Sequence, residues 1–342
     1  MDGASARSLD VTTFLERRGT TPFHIRLLVI SCFVTFFDGL DFSLIAYTLP
    51  YLRDVMALDD AMTGYVSSAA FLGQMIGSLV GSYIADVVGR RPVIIWCTFL
   101  SAVLTFLTGF ASNPYELIVL RLLGGLAIGG LLAPVWSINI ETMPSGTKAR
   151  AVTIIMLGFS SGSAAAGQIT NWLAPQYGWE GVFFFCGATT LVLAIALLFT
   201  MPESARWLVA RGKSKALIEP LLSRMDPAAD LDPYDAFYLS DERKVSTEVR
   251  IGAGAVERTV GKFLKAMAQL FHGWLGAITP LIWATYFCSS FAIYLKSSFG
   301  VLFLEELGIA REMAANLGSI GGIIGAVAGV VLLWFTEKRG PA

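Results

Sequence analysis

Two carboxylates, Asp38 and Asp41, stand three residues apart in the stretch FFDGLDFSLIAYTLP (36–50), inside an apolar run that begins near Arg26. One helical turn apart, they share a face. A carboxylate at mid-bilayer costs roughly 2.5–3.5 kcal/mol on insertion scales, so its presence there points to function. Such a group can exchange protons or hold a cation. One basic residue, Arg121, is similarly embedded in an apolar run. Asp41 lies roughly 13 Å from one end of its run, and Arg121 roughly 8 Å into its own from the same side, at 1.5 Å per residue. The two could meet, and an opposite charge would keep Asp41 ionised. Asp38, a turn deeper and without an evident partner, is then the better proton-exchanging group. The alternative is a structural ion pair with a second acid capping it. Buried pairs are poor stabilisers, which favours the functional reading.

The elements that must position these residues are membrane spans. Of 342 residues 55% are hydrophobic and 15% charged, against about 25% charged in soluble domains, and the mean hydropathy is +0.64. Apolar blocks long enough to cross a hydrocarbon core of about 30 Å predict eight spans, at 24–50, 63–85, 92–111, 116–138, 151–172, 179–201, 277–304 and 313–335. The chain reads as an all-α polytopic membrane protein. A net charge of −1 gives no electrostatic case for nucleic acid. Four widely spaced cysteines within apolar segments and two distant histidines argue against a disulfide framework or a metal site. The first 23 residues lack a signal peptide's short apolar core and cleavage site, so the first helix is expected to remain. Of the 25 basic residues, all but Arg53, Arg311, Arg121 and Lys296 fall on one side, which predicts a cytoplasmic N-terminus.

Four regions follow: a cytoplasmic tail (1–23), a six-helix bundle (24–201), a cytoplasmic loop (202–275) and two further helices (276–342). Within the loop, the acidic, proline-bearing stretch MDPAADLDPYDAFYLSDERK is expected to be mobile. The segment RTVGKFLKAMAQLFHGW places Val260, Phe263, Leu264, Met267, Leu270, Phe271 and Trp274 at helical spacing. It reads as an amphipathic helix, either at the inner interface or packed on the ends of the bundle.

An internal repeat is visible. Gly73, Gly77 and Gly81, followed by GRRP (89–92), recur as Gly321, Gly325 and Gly329, followed by EKRGP (337–341), at an offset of 248. Glycines four apart let helices approach closely. The repeat predicts six spans, a linker and the start of a second six. The chain is expected to be truncated after its eighth helix, with four to follow.

The stretch GSYIADVVGRRP (81–92) resembles the loop signature between the second and third helices of the major facilitator superfamily, with Val87 standing where a basic residue is usual. Asp86 near a helix end can accept charge-assisted hydrogen bonds from neighbouring loops. The resemblance implies a conformational latch from Gly81, Asp86, Gly89, Arg90 and Arg91; the alternative is that the arginines are only topology charges. The repeat-equivalent of Asp86 is Trp334, so the latch is one-sided. Arg121-LLGG-LAIGG resembles that superfamily's fourth helix. The run from Glu141 to Arg150 resembles its charged loop, adding both residues to the latch, and PESARWL (202–208) resembles the segment after its sixth helix.

Asp38-Gly39-Leu40-Asp41 resembles the D-G-x-D signature of the aromatic acid:proton symporters. That resemblance implies that Asp38 and Asp41 serve proton coupling and substrate handling, and that Arg121 helps hold a substrate carboxylate. Spans one, two, five and seven would wall the aromatic ring. Lys296 in YLKSSFG could meet an organic anion but more readily snorkels to the outer interface. Gln168 and Asn171, with the serines of span five, would either line a polar path or pack helices.

No nucleotide-binding loop of the G-x-x-x-x-G-K-[ST] type and no spaced nucleophile–base set is present in the sequence, so neither a pump driven by a nucleotide nor an enzyme is expected. The reading is a proton-coupled importer of a small aromatic carboxylate in the inner membrane. It would need no cofactor beyond the proton gradient and no obligatory protein partner. The alternatives are a carrier of the same fold for a sugar or other organic acid, or a non-transporting truncated fragment.

Overall fold

The computed structural model describes residues 8–17, 19–227, 229–240 and 275–339. Helix α2 (Pro22–Met56) starts at a proline in its first turn, where the missing N–H is no loss, and stops at Ala57 in the left-handed conformation. Asp59 caps α3 (Asp60–Val88) by accepting from the Met62 N–H at 2.7 Å. Gly89, at φ 119°, turns the chain directly into α4 (Arg90–Thr108); a side chain there would be strained. Asn113 caps α5 (Pro114–Gly129), which bends at Gly130 into α6 (Leu132–Thr142) and makes one span with it.

Helix α7 (Lys148–Thr200) has 53 residues, about 80 Å at helical rise, far longer than a bilayer core. It holds the fifth and sixth expected spans, separated at Gly178, whose φ of 69° breaks the helix. Helices α8 (Ala205–Ala210) and α9 (Lys215–Met225) follow, and α10 (Leu275–Glu306) and α11 (Arg311–Arg339) lie over the seventh and eighth expected spans. Helical segments long and apolar enough to cross a membrane cover Pro22–Met56, Asp60–Val88, Arg90–Thr108, Pro114–Thr142, Ser145–Thr200 and Ile278–Glu306. The chain is an integral membrane protein.

The first glycine ladder does what its spacing implies. A Cβ on Gly77 would lie 2.1 Å from the Leu126 carbonyl oxygen, and one on Gly81 2.3 Å from Gly130 Cα. Backbone therefore rests on backbone along α3 and α5. Around the second ladder, nothing among the described residues lies within 4 Å of the Cβ positions of Gly321, Gly325 and Gly329.

At the end of the bundle that carries the chain's N-terminal segment (hereafter the tail end) sits a small layer with its own apolar core. Strand β1 (Ser8–Asp10) pairs in parallel with β2 (Ala236–Tyr238), and α1 (Val11–Arg17) packs Val11 and Leu15 against Leu208 and Leu222 of α8 and α9. Within the acidic stretch, Ala236–Tyr238 pair with β1 and the Ser240 N–H reaches Asp10. Asp10 accepts from the Thr12 and Ser240 N–H groups at 3.1 and 3.2 Å and from the Thr13 hydroxyl. Burial pushes its carboxyl up, but these hydrogen bonds outweigh it and hold the group below its ordinary range. The amphipathic segment at 260–274 lies outside the described residues.

Candidate functional site

Glycine at position 39 lets α2 press onto α7, since a Cβ there would lie 2.0 Å from the Phe159 carbonyl oxygen. This close approach seats the acid pair within the first bundle. Asp38, Asp41 and Arg121 are each 3% exposed. Arg121 Nη1 donates to Asp41 Oδ1 at 3.3 Å, and the Ser101 hydroxyl donates to Asp41 Oδ2 at 3.0 Å. The second arm of Arg121 donates to the Thr108 hydroxyl at 2.7 Å, and the guanidinium stands 5.1 Å from the centre of the Phe183 ring, a cation–π arrangement. The fourth, third and first spans are therefore tied through one guanidinium.

Asp38 is different. Neither of its oxygens has a hydrogen-bond partner among the described residues, and the Nε of Arg121 is also bare. Buried polar atoms are nearly always satisfied, so a carboxylate with both oxygens unpaired calls for a functional explanation.

Phe42, Phe71, Phe159 and Tyr294, one each from spans one, two, five and seven, converge, with ring centres 5.2–6.5 Å apart. From Phe71 and Tyr294 a cavity of about 590 Å³ runs past Gln74 and Ser78 to Trp136. Its walls are mostly apolar. Arg121 faces into the bundle toward Asp41 in this conformation, not toward that cavity.

Lys296 is exposed and has no ion pair among the described residues. Gln168 and Asn171 both donate to Asn316 Oδ1, at 2.9 and 3.2 Å, and Asn171 also donates to the Glu312 carbonyl at 3.0 Å. They join α7 to α11 at the end of the bundle opposite the tail. Beside them Arg53 pairs with Glu306 at 3.0 Å and Arg311 with Asp54 at 2.9 Å, so the first bundle grips α10 and α11 at this end.

The residues of the loop signature gather at the tail end. Arg90 Nη2 lies 2.8 Å from Glu141 Oε1 and 3.1 Å from Asp86 Oδ1. Glu141 also accepts from the Ser137 hydroxyl at 2.8 Å and from the Ser204 hydroxyl. The Asp86 carbonyl accepts from Trp207 Nε1 and Arg211 Nη2 at 2.9 and 2.7 Å, which ties α8 to the end of α3. Arg91 donates to the Leu198 carbonyl at 2.8 Å, and Arg150 is exposed at the start of α7.

Sequence reasoning missed Glu203. Its Oε1 accepts from the backbone N–H groups of Arg90, Arg91 and Ser204 at 3.0, 3.2 and 2.9 Å. It thus caps α4, whose own N-cap is a glycine without a side chain. Burial pushes the Glu203 carboxyl up, against those three donors and the nearby Arg90. The available signal was an acid just past the end of a span, facing a helix that starts without a capping side chain.

This fold, with its glycine-packed first bundle and charged turn, is that of a family of membrane transporters: residues 31–342 match the Major Facilitator Superfamily, and the chain belongs to it. It resembles the aromatic acid:proton symporters. It is 28% identical to the 4-hydroxybenzoate transporter PcaK of Pseudomonas aeruginosa over 333 residues, 97% of this chain and 70% of that one. It is 30% identical to a gallate transporter of Pseudomonas putida over 336 residues, 97% of this chain and 70% of that one. A solved structure of the xylose transporter XylE from E. coli superposes with a TM-score of 0.67 at 18% identity, covering 93% of this chain and 74% of that one.

Proposed function

We propose that this chain acts as a proton-coupled symporter for a small aromatic carboxylate of the hydroxybenzoate type, in the inner membrane with its N-terminus cytoplasmic. The observation that carries this reading is the buried Asp38, unpaired at both oxygens among the described residues and one turn from the Asp41–Arg121 pair. Such a carboxylate can take up and release a proton as its surroundings open to water on one side and then the other. The substrate class rests on the relatives named as 4-hydroxybenzoate and gallate transporters. The concentration of basic residues at the tail end supports the orientation.

In this mechanism the proton gradient is the drive and no cofactor takes part. The substrate ring lies among Phe42, Phe71, Phe159 and Tyr294. Arg121 reaches the substrate carboxylate only when Asp41 gives it up, and proton uptake by the acid pair, with Asp38 as its exchanging member, is the event linked to that handover. The set of Gly81, Asp86, Gly89, Arg90, Arg91, Glu141 and Arg150 acts as the inner latch and rearranges as the two halves rock about the site. Gln168, Asn171 and Lys296 stand toward the outer side of the path.

Competition tests the substrate class. Excess benzoate-type acid should block uptake of labelled 4-hydroxybenzoate, and excess hexose should not. Competition by hexose alone would instead make the chain a sugar carrier of the same fold.

A further inference from the structure

Two clefts flank the point where the sixth span ends at the tail end, and Arg91 lines both. The first, about 320 Å³, lies between the start of α2, the end of α7 and α9. Its walls are largely apolar, yet they carry three guanidinium groups, those of Arg26, Arg91 and Arg224, against one carboxylate, Glu203. That carboxylate is already engaged by the backbone N–H groups of Arg90, Arg91 and Ser204. Arg26, Arg91 and Arg224 are exposed and form no ion pair among the described residues; the Arg91 side chain donates to the Leu198 carbonyl. Three like charges around one cleft repel one another unless an anion joins them.

The rim of the cleft says what kind of anion. Phe199 is 81% exposed at its edge, with Leu198 and Ile195 half-exposed beside it. The second cleft, about 650 Å³, continues this surface past Trp96 and Phe99 on α4. These side chains belong to membrane-crossing helices, so their exposed faces meet lipid. A ligand that suits both parts has a phosphate at one end and hydrocarbon at the other. Arginine suits a phosphate in particular, through its planar fork of donors.

We propose that this place is a binding site for an anionic phospholipid of the leaflet at the tail end. Arg26, Arg91 and Arg224 hold the phosphodiester, and an acyl chain lies along Phe199 and Leu198. The lipid joins the starts of α2 and α4 to α9, and so sets the tail-end network against the membrane surface. The inference rests on the membrane reading of the fold and is independent of the substrate.

The test is native mass spectrometry of the purified full chain with equimolar phosphatidylglycerol and phosphatidylcholine of the same acyl chains. Phosphatidylglycerol adducts should exceed phosphatidylcholine adducts about tenfold, since basic pockets between helices select anionic headgroups. The preference should vanish in the variant combining Arg26→Gln, Arg91→Gln and Arg224→Gln. Equal adducts in the wild type, or an unchanged preference in the variant, would overturn the proposal. Should the triple variant fail to fold, Arg26→Gln and Arg224→Gln alone, both at exposed positions, should each lower the preference, and retention of the full preference in both overturns it. Phosphatidylglycerol should raise the melting temperature of the wild type where soluble glycerol phosphate at equal concentration does not. An equal rise with both would mark a soluble-anion site and contradict the lipid assignment.

Discussion

Arg121–Asp41 in the middle of the bundle and Arg90–Glu141 at its tail end are the same chemical pair in opposite company. At the tail end each partner is satisfied more than once: Arg90 also meets Asp86, and Glu141 also accepts from Ser137 and Ser204. In the middle, Asp41 has only Arg121 and Ser101, and Asp38 has no partner among the described residues; a bare Nε is common to both arginines, Arg90 as well as Arg121. Redundancy holds a structure when one contact is lost. Scarcity in a low-dielectric interior makes the whole arrangement respond to one proton. The difference separates a charge network that shapes the fold from one suited to coupling.

Replacing Asp41 by Asn should give the largest effect. It leaves Arg121 buried without its counter-charge, a loss of about 3–5 kcal/mol, and uptake should fall to background. Adding Arg121→Gln should recover much of the thermal stability while uptake stays absent; recovery of both would erase the distinction between the two networks. Gly77→Val drives a side chain into the Leu126 carbonyl and should cost about 1–3 kcal/mol or more by overpacking, seen as a lower melting temperature in detergent. Glu141→Gln, buffered by its extra partners, should cost about 1 kcal/mol. Arg53→Gln, which loses solvent-exposed pairs with Asp60 and Glu306, should change stability by about 0–1 kcal/mol.

The tail-end layer adds a pH dependence. Asp10 is held below its ordinary range in the folded chain. Its contribution is therefore complete above about pH 4, the unfolded carboxylate range, and is lost as pH falls through the lowered folded value. Hydrogen exchange at β2 should accelerate only in acid, and Asp10→Asn should remove that dependence.

Much of this was legible in the sequence because membrane physics leaves few options. Apolar length placed the spans, glycine spacing predicted the approach of α3 to a neighbour, and depth counting put Asp41 level with Arg121. The four spans expected to wall an aromatic ring are those whose rings converge at Phe42, Phe71, Phe159 and Tyr294. Three things were not legible. The pairing of β1 with β2 joins segments more than 220 residues apart and carries no local periodicity. Glu203 acts on the backbone of α4, so no complementary side chain marks it. Gln168 and Asn171 were ambiguous because the same amides serve a path or a helix contact, and only the placement of Asn316 shows which groups they meet.

Asp38 is the most direct test, because its lack of partners separates coupling from folding. Proton influx and substrate accumulation would be followed together in proteoliposomes, with 4-hydroxybenzoate and an imposed pH gradient, for the wild type and Asp38→Asn. The account predicts a variant that keeps its melting temperature, having lost no hydrogen bond, yet neither accumulates substrate nor carries protons with it. Proton-coupled accumulation at the wild-type level in Asp38→Asn would contradict the assignment.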